Sequence, residues 1–302
     1  MKPAGTIVLL YHRVARLERD PHGLAVTPER FAAHCEVLRR RAEVVRLLDA
    51  NPSRRQVAIT FDDGYADNSI EARPILAASG LPATFFITAG RIGQSGEAWW
   101  DLLEQIVLAS APTSDSLEFD TAGSPLWVDL RSPAARERAY WALFWRLRPL
   151  PPTMIQPMLF SLSHRWQSQT EHRATHRWMT TDELRLLAET PNIDVGAHTL
   201  THPLLASLPV EEQQQEIAGS RALLEQMTGA APVLFSYPHG SPDAFNEVTV
   251  RLVRDAGYRI ACVATRGIAR AGSDPLRVPR HVVHDWEADR FEAWLDEWMR
   301  RE

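Results

Sequence analysis

The stretch VAITFDDG, residues 57–64, runs from an apolar segment into two adjacent carboxylates and a glycine. Val57–Phe61 has the β-branched and aromatic content and the short length of a buried strand. Similar runs occur at Thr6–Tyr11, Ala83–Ile87, Ile193–Gly196, Val233–Tyr237, Ile260–Ala264 and Arg277–Val283. Helical patterns separate them. Thr27-Pro28 opens one that runs to Arg40, while Glu71–Ala78 stops at Gly80, Glu211–Met227 at Gly229 and Glu247–Ala256 at Gly257. Strands spaced by helices pair in parallel through right-handed crossovers. About seven such units predict an α/β fold closed, or nearly closed, into a (β/α) barrel. An open doubly wound sheet is the alternative.

At 302 residues with 45% apolar side chains, the chain can bury a large core, as one big α/β domain or two small ones. Lys2 is the single lysine, arginine supplies the other positive charges, and the formal net charge is −5. That balance offers no basic footprint for nucleic acid. Cys35 and Cys262 form no CxxC pair, so neither a disulfide framework nor a thiolate zinc site is expected. The apolar run before Tyr11-His12-Arg13 is about five residues long, too short for a signal-peptide core or a membrane span. A cytoplasmic location is the expectation.

Between about Arg91 and Trp178 the alternation stops, and seven of the ten tryptophans fall there. The segment 91–178 predicts a mainly helical insertion. Ser132-Pro133 opens one helix with Tyr140, Trp141, Phe144 and Leu147 on a shared face, and Pro149 stops it. Residues 91–130 carry one arginine and seven acids, whereas 131–178 carry eight arginines and two acids. Two readings fit: an aromatic core of the insertion's own with charge pairing between its halves, or a basic aromatic surface in peripheral contact with an anionic or lipid-linked substrate.

In a parallel barrel the side chains just past the strand ends reach the pocket, which places Asp62 and Asp63 there. Adjacent residues point in different directions, so one carboxylate can hold a metal while its neighbour faces a water. Asp-Asp-Gly is also ordinary turn chemistry. A second stretch, VGAHTLTHP at 195–203, separates His198 and His202 by three residues after another strand end. That spacing lets two imidazoles converge on one ion. With Asp63 they supply one oxygen and two nitrogens, a set that suits hydrolysis. A metal there lowers the pKa of a bound water towards about 7 and polarises a carbonyl, while an unligated carboxylate takes the proton.

TFDDG (60–64) and HTLTH (198–202) resemble the first two motifs of the polysaccharide deacetylases, carbohydrate esterase family 4, whose fold is a distorted (β/α) barrel. Other stretches similar to the family occur in the same order: LLYHRV (9–14), GLPATFFIT (80–88), FSYPHG (235–240) and LRVPRHVV (276–283). The resemblance implies a single catalytic domain over residues 1–302, with the tryptophan-rich segment inserted. It also implies Asp62 as general base and Asp63, His198 and His202 as ligands of a divalent metal. Zinc is the default, and cobalt, nickel or iron suit the same donors. The implied reaction removes an N-acyl group, usually acetyl, from an amino sugar in a glycan or its precursor.

The third motif departs from the family, which often has arginine where Ser236 stands and tyrosine where His239 stands. The backbone N–H near His239 can still donate to an oxyanion. Arg280, at the end of the last strand, is the candidate for the missing guanidinium, since a bidentate pair would keep Asp62 ionised and aimed; a structural arginine is the other reading. For the general acid, VVHDW (282–286) resembles the family's C-terminal segment and nominates His284, with His281 and His12 as competitors. Two further functions stay open: a deformylase or amidase acting on a non-polymeric amide, and an inactive carbohydrate-binding homologue.

Overall fold

The computed structural model describes residues 4–109, 115–121, 124–166, 170 and 172–301, so Lys2 and part of the acidic half of the insertion lie outside the described residues. The strands are β1 (Gly5–Tyr11), β2 (Arg13–Val14), β3 (Ala25–Val26), β4 (Arg55–Phe61), β5 (Ala83–Ile87), β6 (Ser116–Thr121), β7 (Ser124–Asp129), β8 (Ile193–Ala197), β9 (Leu234–Ser236), β10 (Ile260–Cys262) and β11 (His281–Val282). The helices are α1 (Pro28–Arg41), α2 (Arg73–Ser79), α3 (Trp99–Glu104), α4 (Pro133–Leu147), α5 (Pro152–Trp166), α6 (Thr181–Glu189), α7 (Val210–Thr228), α8 (Glu247–Asp255) and α9 (Ala288–Arg300). They fall into two compact units, Met1–Gln94 with Trp178–Glu302, and Ser95–Arg177.

The first unit is a curled parallel sheet of seven strands in the order β10-β9-β8-β5-β4-β1-β11. β1 and β4 are in register from Gly5–Arg55 to Tyr11–Phe61. The sequence reads 277–283 as one strand, but only His281–Val282 pairs with β1. Pro279 has no N–H to continue a ladder. The segment before it turns to the opposite edge: the Val278 N–H donates to the Ala261 carbonyl (2.8 Å) and its carbonyl accepts from Val263 N–H (2.9 Å). One segment therefore bonds to both edges and closes the barrel, which is where its distortion lies.

Period two sorts the strand residues into two layers. Ile7, Leu9, Val57, Ile59, Phe85 and Phe235 pack outwards against helix residues such as Phe31, Leu38, Leu76, Ile217 and Phe291. Val8, Ala58, Phe86, Leu234, Cys262 and Val278 cluster across the strands on the inner face. Two residues further along, the inner positions become polar: Thr60 and Asp62, Ser236, and Arg280, all buried. The barrel is thus apolar at one end and chemical at the other.

Local signals set the helix limits. Thr180 and Glu183 form a capping box on α6, as Asn246 and Thr249 do on α8. α2 and α7 end on Gly80 and Gly229 in the left-handed conformation. His34 of α1 is fully buried and ties three segments together. Its Nε2 lies 2.8 Å from the Trp286 carbonyl, its Nδ1 3.3 Å from the Tyr11 hydroxyl, and its ring stacks on Phe291 at 4.1 Å. The carbonyl can only accept, so Nε2 carries the proton and Nδ1 accepts from Tyr11.

In the second unit, Trp99, Tyr140, Phe144, Leu147, Leu159 and Trp166 are buried, and Ser132 caps α4 by accepting from Ala135 N–H at 3.2 Å. β6 and β7 form an antiparallel hairpin that the sequence reading did not anticipate. Arg173 pairs with Glu97 (2.6 Å) and Glu104 (2.5 Å), joining the basic half to the acidic one. Trp127, Trp145 and Phe160 are exposed, so the aromatics divide between core and surface. Trp178 belongs to the first unit, stacked on Tyr65 at 5.1 Å. Among the described residues no helix is long and apolar enough to cross a membrane. Both cysteines are buried and unpaired.

Burial holds His34 down at about 4, with the Trp286 carbonyl opposing. Between pH 4 and the ordinary value near 6.5 the unfolded chain therefore binds the extra proton, and stability is lost as pH falls through that window. Denaturant unfolding of His34→Leu should show lower stability than wild type at pH 7.5. Its loss of stability on acidification should be shallower by about 1.4 kcal/mol per pH unit. Parallel curves for the two proteins would refute the role of His34.

Candidate metal centre and active site

The strand ends bring the site together. Asp62 follows β4 on the inner face, and Arg280 enters from the closing segment. Arg280 Nη1 lies 2.7 Å from Asp62 Oδ1 and Nη2 2.7 Å from Oδ2. The Ser236 hydroxyl donates to Asp62 Oδ2 (3.0 Å) and accepts from Arg280 Nη2 (2.7 Å). Thr60 Oγ1 and the Val263 carbonyl take the remaining guanidinium bonds, at 3.2 and 3.3 Å. Burial would push the Asp62 carboxyl up, but the Arg280 guanidinium outweighs it and holds the group at about 2. Ser236 is small where the family often has arginine, and Arg280 reaches the carboxylate beside it.

Asp63 points elsewhere because its backbone is left-handed, with φ 78°. Its Oδ1 lies 3.5 Å from His198 Nε2 and 3.4 Å from His202 Nε2. One ligand atom from each of the three buried residues lies within 4.8 Å of the others. His198 Nδ1 is 2.8 Å from the Ser236 carbonyl, so that nitrogen carries the proton. Burial lowers the pKa of His198, and it lowers His202 further, with His239 and His198 adding to the effect. Neutral His198 therefore turns a bare Nε2 lone pair towards a carboxylate oxygen. That arrangement is repulsive unless a cation sits between them, so the donor set fits a divalent metal.

The loop carrying the two histidines is held from several sides. Glu216 of α7 accepts from Leu200 N–H and Thr201 N–H, both at 2.9 Å, and from the Thr201 hydroxyl at 2.5 Å. Thr199 Oγ1 accepts from His202 N–H at 3.0 Å, and Ala89 and Gly90 N–H groups donate to the Thr199 and Leu200 carbonyls at 2.9 Å. Gly219 on α7 lets Leu200 approach, since a Cβ there would stand 2.8 Å from its Cδ1. Thr199 and His202 are left-handed, with φ 65° and 64°. Nothing in the local sequence marks Glu216; it is one acid in the run EEQQQE on an ordinary helix.

The remaining histidines separate. His239 is left-handed with φ 63°, and its ring lies 4.8 Å from that of His202. His12, just past β1, acts electrostatically on Asp62, and its Nδ1 is sealed from solvent with no hydrogen-bond partner among the described residues. Burial lowers it to about 4, opposed by Asp62 and reinforced by Arg280 and His198. His281 Nε2 lies 2.7 Å from the Gly267 carbonyl, and its ring packs on Trp298 at 4.0 Å. His284 stands two residues past β11. Its Nδ1 meets the Gly23 carbonyl at 3.1 Å, and it lines a cavity to which Asp62, Asp63, His198 and His202 contribute nothing. Its neighbour Asp285 is taken up at the start of α1, accepting from Thr27 N–H (2.9 Å) and pairing with Arg30.

Comparisons with known proteins agree with this architecture. YxkH of Bacillus subtilis (strain 168), named for the polysaccharide deacetylases, is 23% identical over 277 residues, 89% of this chain and 67% of its own. IcaB from Ammonifex degensii superposes with a TM-score of 0.64 at 18% identity, covering 99% of both chains. The Streptococcus pyogenes deacetylase PplD, solved in complex with acetate, superposes with a TM-score of 0.62 at 15% identity, covering 99% of this chain and 100% of its own. These two likenesses establish the fold. The family model described as polysaccharide deacetylase matches residues 49–111 and 155–261, more than half of the chain. The chain belongs to the polysaccharide deacetylase family.

Proposed function

We propose that the chain is a metal-dependent N-deacetylase of a glycan or glycan precursor, working as one catalytic domain that carries the 95–177 unit as an insertion. The observation that carries this reading is the buried trio Asp63, His198 and His202, whose lone pairs converge beside an ionised, oriented Asp62. Those three residues would hold the metal, which supplies Lewis-acid polarisation of the acyl oxygen and acidifies an attacking water. Zinc suits one oxygen and two nitrogens, and cobalt, nickel or iron fit the same set.

The other residues divide the proton chemistry. Asp62 is ionised at neutral pH and fixed by Arg280 and Ser236, so it takes the proton as water attacks the acyl carbon. A carboxyl held at about 2 keeps that proton weakly. The backbone N–H near His239 donates to the oxygen on which negative charge develops. As the carbon–nitrogen bond breaks, acetate and a free amine form, and the amine must gain a proton. We assign to His12, uncharged at neutral pH and coupled electrostatically to Asp62, the passing on to the amine of the proton that Asp62 takes from the water, with His284 and His281 as the alternatives.

Protein purified without chelator should carry near one equivalent of metal and release acetate from N-acetylglucosamine oligomers. His198→Ala should lose both, whereas Asp62→Asn should keep the metal and lose release; no metal in wild type even after zinc addition would end the reading. His12→Asn should keep its metal and lose about 10²–10⁴ in kcat on the amide. The loss should shrink on an aryl acetate, whose leaving group needs no proton; equal losses on both substrates would remove His12 from that role. Glu216→Ala should weaken metal affinity about 10–100-fold in a chelator competition. Unchanged affinity would mean that the loop holds its shape without Glu216.

A further inference from the structure

The segment that supplies Asp62 and Asp63 also supplies two polar residues to which the proposed chemistry gives no part. Asp67 and Asn68 follow in the same run, DDGYADN at 62–68. Asn68 is fully buried, and the Asp67 side chain is 10% exposed. Asn68 begins a turn of π-helix, Asn68–Ala72, in which the Arg73 N–H donates back to the Asn68 carbonyl. Turns of this width are rare and occur mostly at functional sites.

Both side chains bond to the strand end that carries His12. β1 and β4 pair as far as Tyr11 with Phe61, and the Asp62 N–H donates to the Tyr11 carbonyl at 3.0 Å. One residue further on, the His12 carbonyl accepts from Asn68 Nδ2 at 2.8 Å. Asp67 takes the next two residues. Its Oδ1 accepts from Val14 N–H at 3.0 Å, and its Oδ2 accepts from Arg13 Nε and Nη2 at 3.0 and 2.9 Å. Asn68 Nδ2 also donates to Asp67 Oδ1, at 3.1 Å, which brings the donors on this carboxylate to four, one for each lone-pair position. Arg13 is buried, and its guanidinium lies 4.1 Å over the Tyr65 ring, which stacks on Trp178. Side chains 67 and 68 thus continue, past its end, the grip that β4 has on β1.

These contacts are chemically selective. Asn68 Nδ2 faces two acceptors, a carbonyl and a carboxylate, which an amide nitrogen can serve and a carboxylate oxygen cannot. An aspartate of the same shape would set a negative charge against both. The main chain of residues 12–14 is therefore tied to the turn that also carries Asp62 and Asp63. His12 and Asp62 act on each other electrostatically, and a misplacement of about 1 Å between reacting groups can lower a rate about 10²-fold.

We propose that Asp67 and Asn68 are positioning residues for His12. They hold its main chain against the turn after β4, at the place from which its ring passes the proton between Asp62 and the leaving amine. The proposal rests on the deacetylase reading, with the part assigned there to His12, and deepens it.

Steady-state kinetics of the metal-loaded full chain test it, with N-acetylglucosamine oligomers and an aryl acetate as substrates. Asn68→Asp should keep near one equivalent of metal and leave KM unchanged, while kcat on the amide falls about 10–100-fold. The loss should shrink on the aryl acetate, as for His12→Asn. In the His12→Asn background the same substitution should lower kcat no further, since effects of residues that act through one another do not add. Asn68→Ser removes the donor reach without adding charge, and it carries the test with the same expectations if Asn68→Asp fails to fold. An unchanged kcat, equal losses on both substrates, or a loss that adds to that of His12→Asn overturns the positioning role, and acetate release by wild type in parallel shows that the deacetylase reading survives. No release by wild type overturns that reading and the positioning role with it.

Discussion

A carboxylate and a guanidinium sealed inside the barrel constrain the rest of the molecule. Asp62 and Arg280 are both buried, and neither could stay charged there without the other. Removing water from two charges is costly, and the pairing offsets that cost only when geometry is good and the remaining bonding positions are filled. The Ser236 hydroxyl, Thr60 and the Val263 carbonyl fill them. Four strands must therefore present inner-face residues at one level, which fixes the stagger of β4, β9, β10 and the closing segment. The pair is weak grounds for claiming stability and strong grounds for a defined arrangement.

The trio of Asp63, His198 and His202 depends on a different device. Asp62 continues the alternation of β4, but Asp63 breaks it by turning left-handed. Two neighbouring carboxylates can then have opposite partners, a guanidinium for one and imidazoles for the other. The histidine loop uses the same device at Thr199 and His202. Strained backbone of this kind persists only where the surroundings impose it, and here Glu216, Ala89 and Gly90 do so. The geometry of the candidate site is thus built from ladder residues on one side and clamped turns on the other.

Much of this was legible in the sequence because strand ends are marked by apolar runs that stop at polar residues. Val57–Phe61 before Asp62, and Ile193–Ala197 before His198, carry their own positions. Four features were not legible, each for a reason. Glu216 works through a tertiary approach of α7, and on its helix it looks like any solvated acid. His284 stands out by its similarity to a family segment, whereas the electrostatic influence of His12 on Asp62 depends on a β1–β4 register that only the folded sheet displays. The 277–283 run reads as one strand, and Pro279 divides it between two edges. In the insertion, the β6–β7 hairpin was masked by weak alternation among polar residues.

The closing segment also dictates an order of events. Arg280 lies 218 positions after Asp62, and β11 bonds to β1, the first strand of the sheet. During synthesis, β1, β4, β5 and β8 emerge well before the segment that joins their edge to β10. Until it arrives, the Asp62 carboxylate has no guanidinium, and an inner face meant for the dark stays wet. Contacts so distant in sequence are reached late and slowly. The last part of the barrel to form is then the part that aims the proposed base, so a half-made chain can collect α1 to α8 yet not its chemistry.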